Sequence, residues 1–427
     1  MVDIKLVRSE PDFVKAAVRK REMDLDNVID EILAIDAQRR QLSGETDALK
    51  AQQNAASKQI PQIKKAGGDV SAIMAEMKEL SAKIKEADVT IGELEEKQKS
   101  LLLCIPNLPD PDLKEGGKEN NEPVHYFGEQ PKFDFPIRNH VELCENLGLI
   151  DYERGAKIAG NGCWIYRGMG ARLEWAILNF FIDEHLRDGY EFILPPHMLG
   201  YGCGYVAGQF PKFEDEVYWI QNPTSSDRKF MLPTAETALV NLHRDEILPR
   251  EELPRKYIAY TPCYRREAGS YRSEERGMIR GHQFNKVEMV QYTTAEGSDA
   301  AFEELVGKAE RLVQKLGLHY RLCKLAAGDC SFSMARTSDI EVWIPSMGIY
   351  KEVSSASNGR DYQARRGNVK YRDENGKLQL VHTLNASGLA TSRVIPALVE
   401  QYQNEDGSVT VPEVLRPYLG GVEVLKP

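Results

Sequence analysis

Thr261–Gln291 reads TPCYRREAGSYRSEERGMIRGHQFNKVEMVQ. Its two flanks, Tyr257–Tyr264 and Phe284–Tyr292, are rich in β-branched and aromatic residues and are expected to be strands. The polar, glycine-punctuated middle is expected to be a long hairpin loop, carrying Arg266, Arg272 and Arg276. Successive strand residues point to opposite faces of a sheet, so Arg265 and Glu267 share one face, and Phe284, Lys286 and Glu288 share a face on the return strand. Arg280 and His282 are in phase with them if the extended conformation reaches back that far, whereas Val287 and Met289 point the other way. One face of the sheet is therefore apolar and buried, and the other carries guanidinium groups, carboxylates and a ring. Fixed guanidinium groups grip phosphate oxygens through paired hydrogen bonds, and a ring suits a base. The pattern reads as a nucleotide site rather than as a solvated charged hairpin.

The 427 residues exceed one ordinary compact domain, and 42% of them are hydrophobic, so a larger catalytic domain with a smaller appendage is expected. A net charge of −10 argues against a protein that coats nucleic acid indiscriminately, while leaving room for a local basic patch. The seven cysteines are scattered, odd in number and without a C-x-x-C pair, which is the pattern of reduced cytoplasmic thiols; no zinc site is expected. No leader and no apolar stretch long enough to span a bilayer is read, so a cytoplasmic protein without a membrane segment is expected.

At the N-terminus Val2–Val7 is expected to be a strand, followed by a helix with Ser9 as N-cap and Pro11 in the first turn. From Val28 a heptad runs through Ile35, Leu42, Leu49, Ala56 and Ile63. After Gly67-Gly68 a second one runs through Ile73, Leu80, Ala87, Leu94 and Leu101, with Met77, Ile84 and Ile91 beside it. Two helices, about 27–66 and 69–102, are thus expected to form an antiparallel coiled-coil arm, with a kink at Pro61. Such an arm could brace a dimer, space two domains or bind a long partner; Lys50, Lys58, Lys64 and Lys65 toward its tip favour a polyanion. Residues 1–103 are read as this domain, the proline-, glycine- and acid-rich 104–136 as a linker, and 137–427 as the catalytic domain.

The run Tyr264–Ser270, Arg276-Gly277 and Arg280–Glu288 resembles motif 2 of the class II aminoacyl-tRNA synthetases, and of these most resembles the seryl branch. Gly170–Pro196 resembles motif 1, Leu232–Glu236 the T-x-E loop, Glu352–Ser355 the E-[IV]-S-S segment, and Leu384–Arg393 motif 3. Gly208–Phe213 resembles a seryl-branch G-Q-x-P-K-F element, and the likeness covers essentially the whole chain. The resemblance implies an α+β fold, an antiparallel sheet flanked by helices, with the coiled coil as an arm for the serine tRNA. It implies a ligase that activates L-serine with ATP and Mg²⁺ and transfers it to tRNA(Ser), with tRNA(Sec) as a further acceptor, in a homodimer joined through motif 1.

By the same resemblance Arg265 and Arg393 are the catalytic cations. Arg266, Glu267, Arg280, Phe284, Val353, Ser354 and Ser355 join them around ATP, with Glu352 holding Mg²⁺. Thr234, Ala235, Glu236, Glu288, Asn385 and Ser387 form the serine pocket with Arg265. Ala386 stands where the family has glycine and is expected to put a methyl beside that pocket, and Pro396 is expected to kink the helix after motif 3. An amino acid:carrier protein ligase should lack the arm, and a non-catalytic tRNA-binding paralogue should have lost the phosphate arginines. A specialised, inhibitor-resistant duplicate would look like this chain.

Overall fold

The computed structural model describes residues 1–221, 227–267 and 277–427. The tip of the hairpin between Tyr264 and Gln283, with Gly269, Arg272 and Arg276, lies outside the described residues. The chain divides into two units, one made of Val2–Arg19 with Met23–Pro106, the other of Met1, Lys20–Glu22 and Asn107–Pro427.

In the smaller unit α1 (Ile4–Ser9) and α2 (Pro11–Arg19) precede two long helices, α3 (Asp26–Lys65) and α4 (Ser71–Leu102). The N-terminal strand expectation is corrected here. The alternation Val2, Ile4, Leu6 suits a strand, but the Asp3 carboxylate accepts from the Lys5 amide at 2.8 Å and caps a helix instead. Ser9 closes α1 rather than capping α2, whereas Pro11 does open α2. The expected heptad positions from Val28 to Ile63 and from Ile73 to Leu101 are all buried or half-buried along facing helices. At 40 residues α3 measures about 60 Å. It continues through Pro61 to Lys65. Near its base the buried Asp36 accepts from Arg8 Nε at 2.7 Å, Arg8 Nη2 at 3.0 Å and Gln98 Nε2 at 3.3 Å. Burial pushes that carboxyl up, and Arg8, Gln98 and Arg40 outweigh it, holding the group below the usual range.

The larger unit is built on a sheet of eight strands. In chain order these are β1 (Glu122–Phe127), β2 (Glu191–Ile193), β3 (Arg255–Tyr264), β4 (Gln283–Thr293), β5 (Tyr320–Lys324), β6 (Arg336–Ile344), β7 (Ile349–Asn358) and β8 (His382–Ala390). They lie in the order β1-β5-β6-β7-β8-β4-β3-β2, antiparallel except where β2 joins β3. Because β1 pairs with β5, the segment 104–136 is not a bare linker: it supplies an edge strand to the sheet. Three helices, α5 (Met169–Arg187), α6 (Ser298–Lys315) and α7 (Thr391–Gln401), share one apolar core with strand residues such as Val287, Met289, Ile340, Val342 and Val353.

Helix α5 directs Leu173, Ala176, Ile177, Phe180 and Phe181 into this core, so the apolar face expected from motif 1 is buried within the subunit. Gly189 ends the helix segment with φ +80°, a conformation that suits glycine. Helix α7 runs through Pro396 without ending there. Ala386 is fully buried in the apolar core, where it is paired with Ala356 and Met289, which corrects the expectation of a methyl beside the pocket.

Replacing Asp36 by alanine should lower the stability of the helical unit by roughly 2 kcal/mol at neutral pH, because a buried charge-assisted network loses its acceptor. Since the folded-state carboxyl titrates below its ordinary value, this contribution is present above about pH 4 and disappears as the pH falls through the folded value. Thermal unfolding of wild type and variant by far-UV circular dichroism at pH 7 and pH 3 should show the gap closing at the lower pH.

Candidate active site

On the sheet face away from the three helices is a cavity of about 1140 Å³. Strand pairing places its floor: Glu288 of β4 lies opposite Ser387 of β8 and Ala259 of β3, and Ser357 of β7 lies opposite Asn385 of β8. The two-residue period thus delivers Lys286 and Glu288, Asn385 and Ser387, and Ser355 and Ser357 to one side, while Val287, Met289 and Ala386 stay in the core. Strand β8 is pinned from behind at Gly388, where an added Cβ would collide with His185 Nε2 of α5.

The cavity holds two carboxylates in different electrostatic states, Glu288 buried and Glu236 half-buried. Glu288 accepts from Thr234 Oγ1 at 2.7 Å and is ion-paired with Lys286, whose Nζ also donates to Thr234 Oγ1 at 2.9 Å. Glu236 has no cation in hydrogen-bond contact among the described residues; Gln363 Nε2 donates to its Oε1 at 2.7 Å. Burial first, and then repulsion from Glu288, push the Glu236 carboxyl up to about 7. Ala235, between Thr234 and Glu236 in the chain, is fully buried among apolar residues and contributes no cavity surface.

The same cavity holds the cations. Arg265 follows the last residue of β3; its Nε donates to Pro233 O at 3.2 Å and its guanidinium lies over the Phe284 ring, 5.1 Å from the centroid. Arg280 Nε donates to Glu267 Oε2 at 2.7 Å, and Glu267 itself takes the left-handed conformation, φ +49°. Arg393, at the start of α7, donates from Nη1 to Glu352 O at 2.8 Å and lies 3.4 Å from the Glu352 carboxylate. Glu352, Asp339 and Glu341 line the same region, Asp339 paired in register with Ser355 and Glu341 with Glu352. Burial and then Glu352 raise the Asp339 carboxyl well above the usual range, and its Oδ1 is buried without a hydrogen-bond partner among the described residues.

Of the site residues expected from sequence, Thr234, Glu236, Arg265, Glu267, Arg280, Glu288, Glu352, Ser355, Asn385, Ser387 and Arg393 meet in this one cavity. Five do not line it. Arg266 points away and donates to Asp215 O at 3.0 Å, and Phe284 packs beneath Arg265 against a satellite apolar cluster. Val353 is in the core with Ala235 in a neighbouring cluster, and Ser354 Oγ donates to Ser387 O at 2.5 Å from a fully buried position. Strand phase puts Lys286 on the right face but gives it no role, and it gives no hint of Gln363, Arg321, Asp339 or Glu341. Arg321 Nε donates to Glu341 Oε2 at 2.6 Å from a strand whose local sequence carries no site motif.

A model of the tRNA synthetase class II core domain (G, H, P, S and T) matches residues 218–402, and one of the seryl-tRNA synthetase N-terminal domain matches residues 1–109. Serine–tRNA ligase 2 of Clostridium acetobutylicum is 60% identical over 98% of this chain and 99% of its own length. The serine–tRNA ligase of Pseudothermotoga lettingae is 44% identical over 98% and 99%. The crystal structure of seryl-tRNA synthetase from Pyrococcus horikoshii complexed with ATP matches over 100% of both chains, with a TM-score of 0.94 and 32% identity. A prolyl-tRNA synthetase of Giardia lamblia, 16% identical with a TM-score of 0.58 over 67% of this chain and 58% of its own, shares the fold.

The Lys286–Glu288 pair should be costly to break from one side. Lys286→Met leaves a carboxylate in a site where it is 2% exposed, and is expected to destabilise the larger unit by about 3 kcal/mol. Adding Glu288→Gln should recover part of that loss, and denaturant unfolding of both single variants and the double variant measures the coupling.

Proposed function

The chain belongs to the seryl-tRNA synthetases of class II, and from that premise we propose how its residues perform the two steps of serine–tRNA ligation. In the first, the carboxylate of L-serine attacks the α-phosphorus of ATP; a new P–O bond forms, the bond to the β,γ-phosphates breaks and pyrophosphate leaves. In the second, a hydroxyl of the terminal ribose of tRNA(Ser) attacks the seryl carbonyl and AMP leaves. The nucleophile of the first step is already an anion, so the step demands positioning and charge stabilisation more than a base. The observation that carries the reading is that one cavity combines the carboxylate pair Glu236 and Glu288 with the cations Arg265, Arg280 and Arg393.

In this reading Glu236 receives the α-ammonium group, and Thr234, Glu288, Asn385 and Ser387 enclose the rest of serine. Rejection of alanine follows, because a missing hydroxyl would leave buried polar groups unpaired. Arg265 bridges the serine carboxylate and the α-phosphate, and Arg280 and Arg393 hold the outer phosphates. Glu267 serves the adenine, Phe284 supports Arg265 from beneath its guanidinium, and Arg266 borders the same loop. The hard oxygens of Glu352, Ser355 and Asp339, whose Oδ1 has no hydrogen-bond partner among the described residues, suit Mg²⁺, which when bound with the nucleotide neutralises phosphate charge. A homodimer through the motif 1 region fits the exposure of Trp175 on α5 and of Leu194 just after β2, at 51% and 71%. No helix among the described residues is long and apolar enough to cross a membrane, and a reaction on tRNA suits the cytoplasm.

The arm is the proposed grip on tRNA(Ser), with tRNA(Sec) as a further acceptor. Lys58, Lys64 and Lys65 are exposed toward the end of α3, while Lys50 sits lower, 3.0 Å from Asp88 of α4.

Pyrophosphate exchange with each of the twenty amino acids tests the assignment: serine should be the one strongly activated. Arg265→Ala should cut that exchange by a factor of about 10² or more with the fold intact, the value typical of one preorganised donor at a developing charge. Separately, deleting the arm between Asn27 and Leu102 should leave serine-dependent exchange largely in place and collapse aminoacylation. Neutralising Lys58, Lys64 and Lys65 together should weaken tRNA binding and flatten its dependence on salt, read by filter binding across an ionic-strength series.

A further inference from the structure

Gln363 lies in the short helix Tyr362–Gly367, outside every motif used above. The residue is 1% exposed, and both amide N–H groups and the amide oxygen are engaged by three fixed groups. Nε2 donates to the Ala207 carbonyl at 3.0 Å and to Glu236 Oε1 at 2.7 Å, and Oε1 accepts from Thr383 Oγ1 at 2.7 Å. The Ala207 carbonyl can only accept, so it fixes which end of the amide faces Glu236. The buried Thr383 hydroxyl, on β8, locks the other end.

The contrast with Glu288 gives this arrangement its meaning. Glu288 is held by the ammonium of Lys286, so its charge is already matched. Glu236 is held by a neutral amide, which orients the carboxylate without cancelling its charge. A cation in Gln363's place would compete with the amino group of a ligand, and an apolar residue would leave the carboxylate free to turn. Among the described residues no hydrogen bond reaches Glu236 Oε2. We propose that Gln363 is a positioning residue for substrate recognition: by anchoring Oε1 it presents the charged carboxylate of Glu236 to the α-ammonium group of the amino acid. This rests on the functional reading of the cavity but concerns the ammonium, which every amino acid substrate carries.

The test uses the full-length enzyme with Gln363→Met, which keeps the volume and removes the amide, and Gln363→Glu, which sets a second carboxyl against the first. In the exchange assay Gln363→Met should raise KM for serine about tenfold or more, the loss of one charge-assisted hydrogen bond, with KM for ATP within about twofold. A non-hydrolysable seryl-adenylate analogue should lose affinity for the variant, whereas its counterpart lacking the α-amino group should not. In the wild type, serine binding should weaken as the pH falls below about 7, where Glu236 takes up a proton. Gln363→Glu should move that midpoint upward, because two carboxyls share one proton more readily than one releases it. Equal losses for the two analogues, a parallel rise in KM for ATP, or an unchanged KM for serine would each overturn the proposal in favour of a packing role. Thr383→Val, which unlocks the amide without touching Glu236, gives the same test should both Gln363 variants misfold: a smaller rise in KM for serine alone supports the proposal, and none overturns it. If the wild type activates a different amino acid, the serine assignment fails, while the Gln363 test proceeds with that amino acid.

Discussion

Strand residues alternate between two environments, and nearly everything in the larger unit depends on how that alternation is partnered. On β4, Val287 and Met289 are buried against helices while Lys286 and Glu288 are delivered to the cavity. Slipping that strand by one residue would put two charges into an apolar core and two aliphatic side chains into the site, so the register is held by the burial itself. The antiparallel neighbours β3 and β8 then bring Arg265, just past the end of β3, and Asn385 and Ser387 to the same cavity.

The cavity that results gives each of its charged groups a support of its own. Lys286 neutralises Glu288, a neutral amide orients Glu236, and backbone carbonyls hold Arg265 and Arg393 in place. Each arginine keeps donors for a ligand, because a backbone carbonyl engages only part of a guanidinium group. The acidic region around Asp339 is costly for the protein alone, with one carboxyl pushed toward its neutral form, and a bound cation would relieve that cost. Preorganisation of this kind is what a reaction between two anionic partners demands.

Departures from expectation have a common cause. Val2–Val7 alternates like a strand, but a local cap and burial of Val7 make it helical. The proline-rich 104–136 has the composition of a linker, yet the open edge of β5 recruits six of its residues as a strand. The motif neighbours of Ala386, Asn385 and Ser387, are at the pocket, and the strand period puts Ala386 itself on the opposite face. In each case composition described the residues and the partner decided their environment.

The sequence by itself determined the period-two hairpin around Arg265 and Glu288, the heptads of the arm, and the membership of Glu236, Glu352 and Arg393 in one site, the last through motif likeness. These are properties of short windows, where spacing translates directly into which side chains share a face. Only the tertiary structure decided what supports them. Arg321, Asp339 and Glu341 reach the cavity through the pairing of strands, and Gln363 reaches it through the packing of a short helix 127 residues from Glu236. Hydrogen bonds made across such separations depend on where the sheet places each strand, and no local pattern of residues encodes that placement.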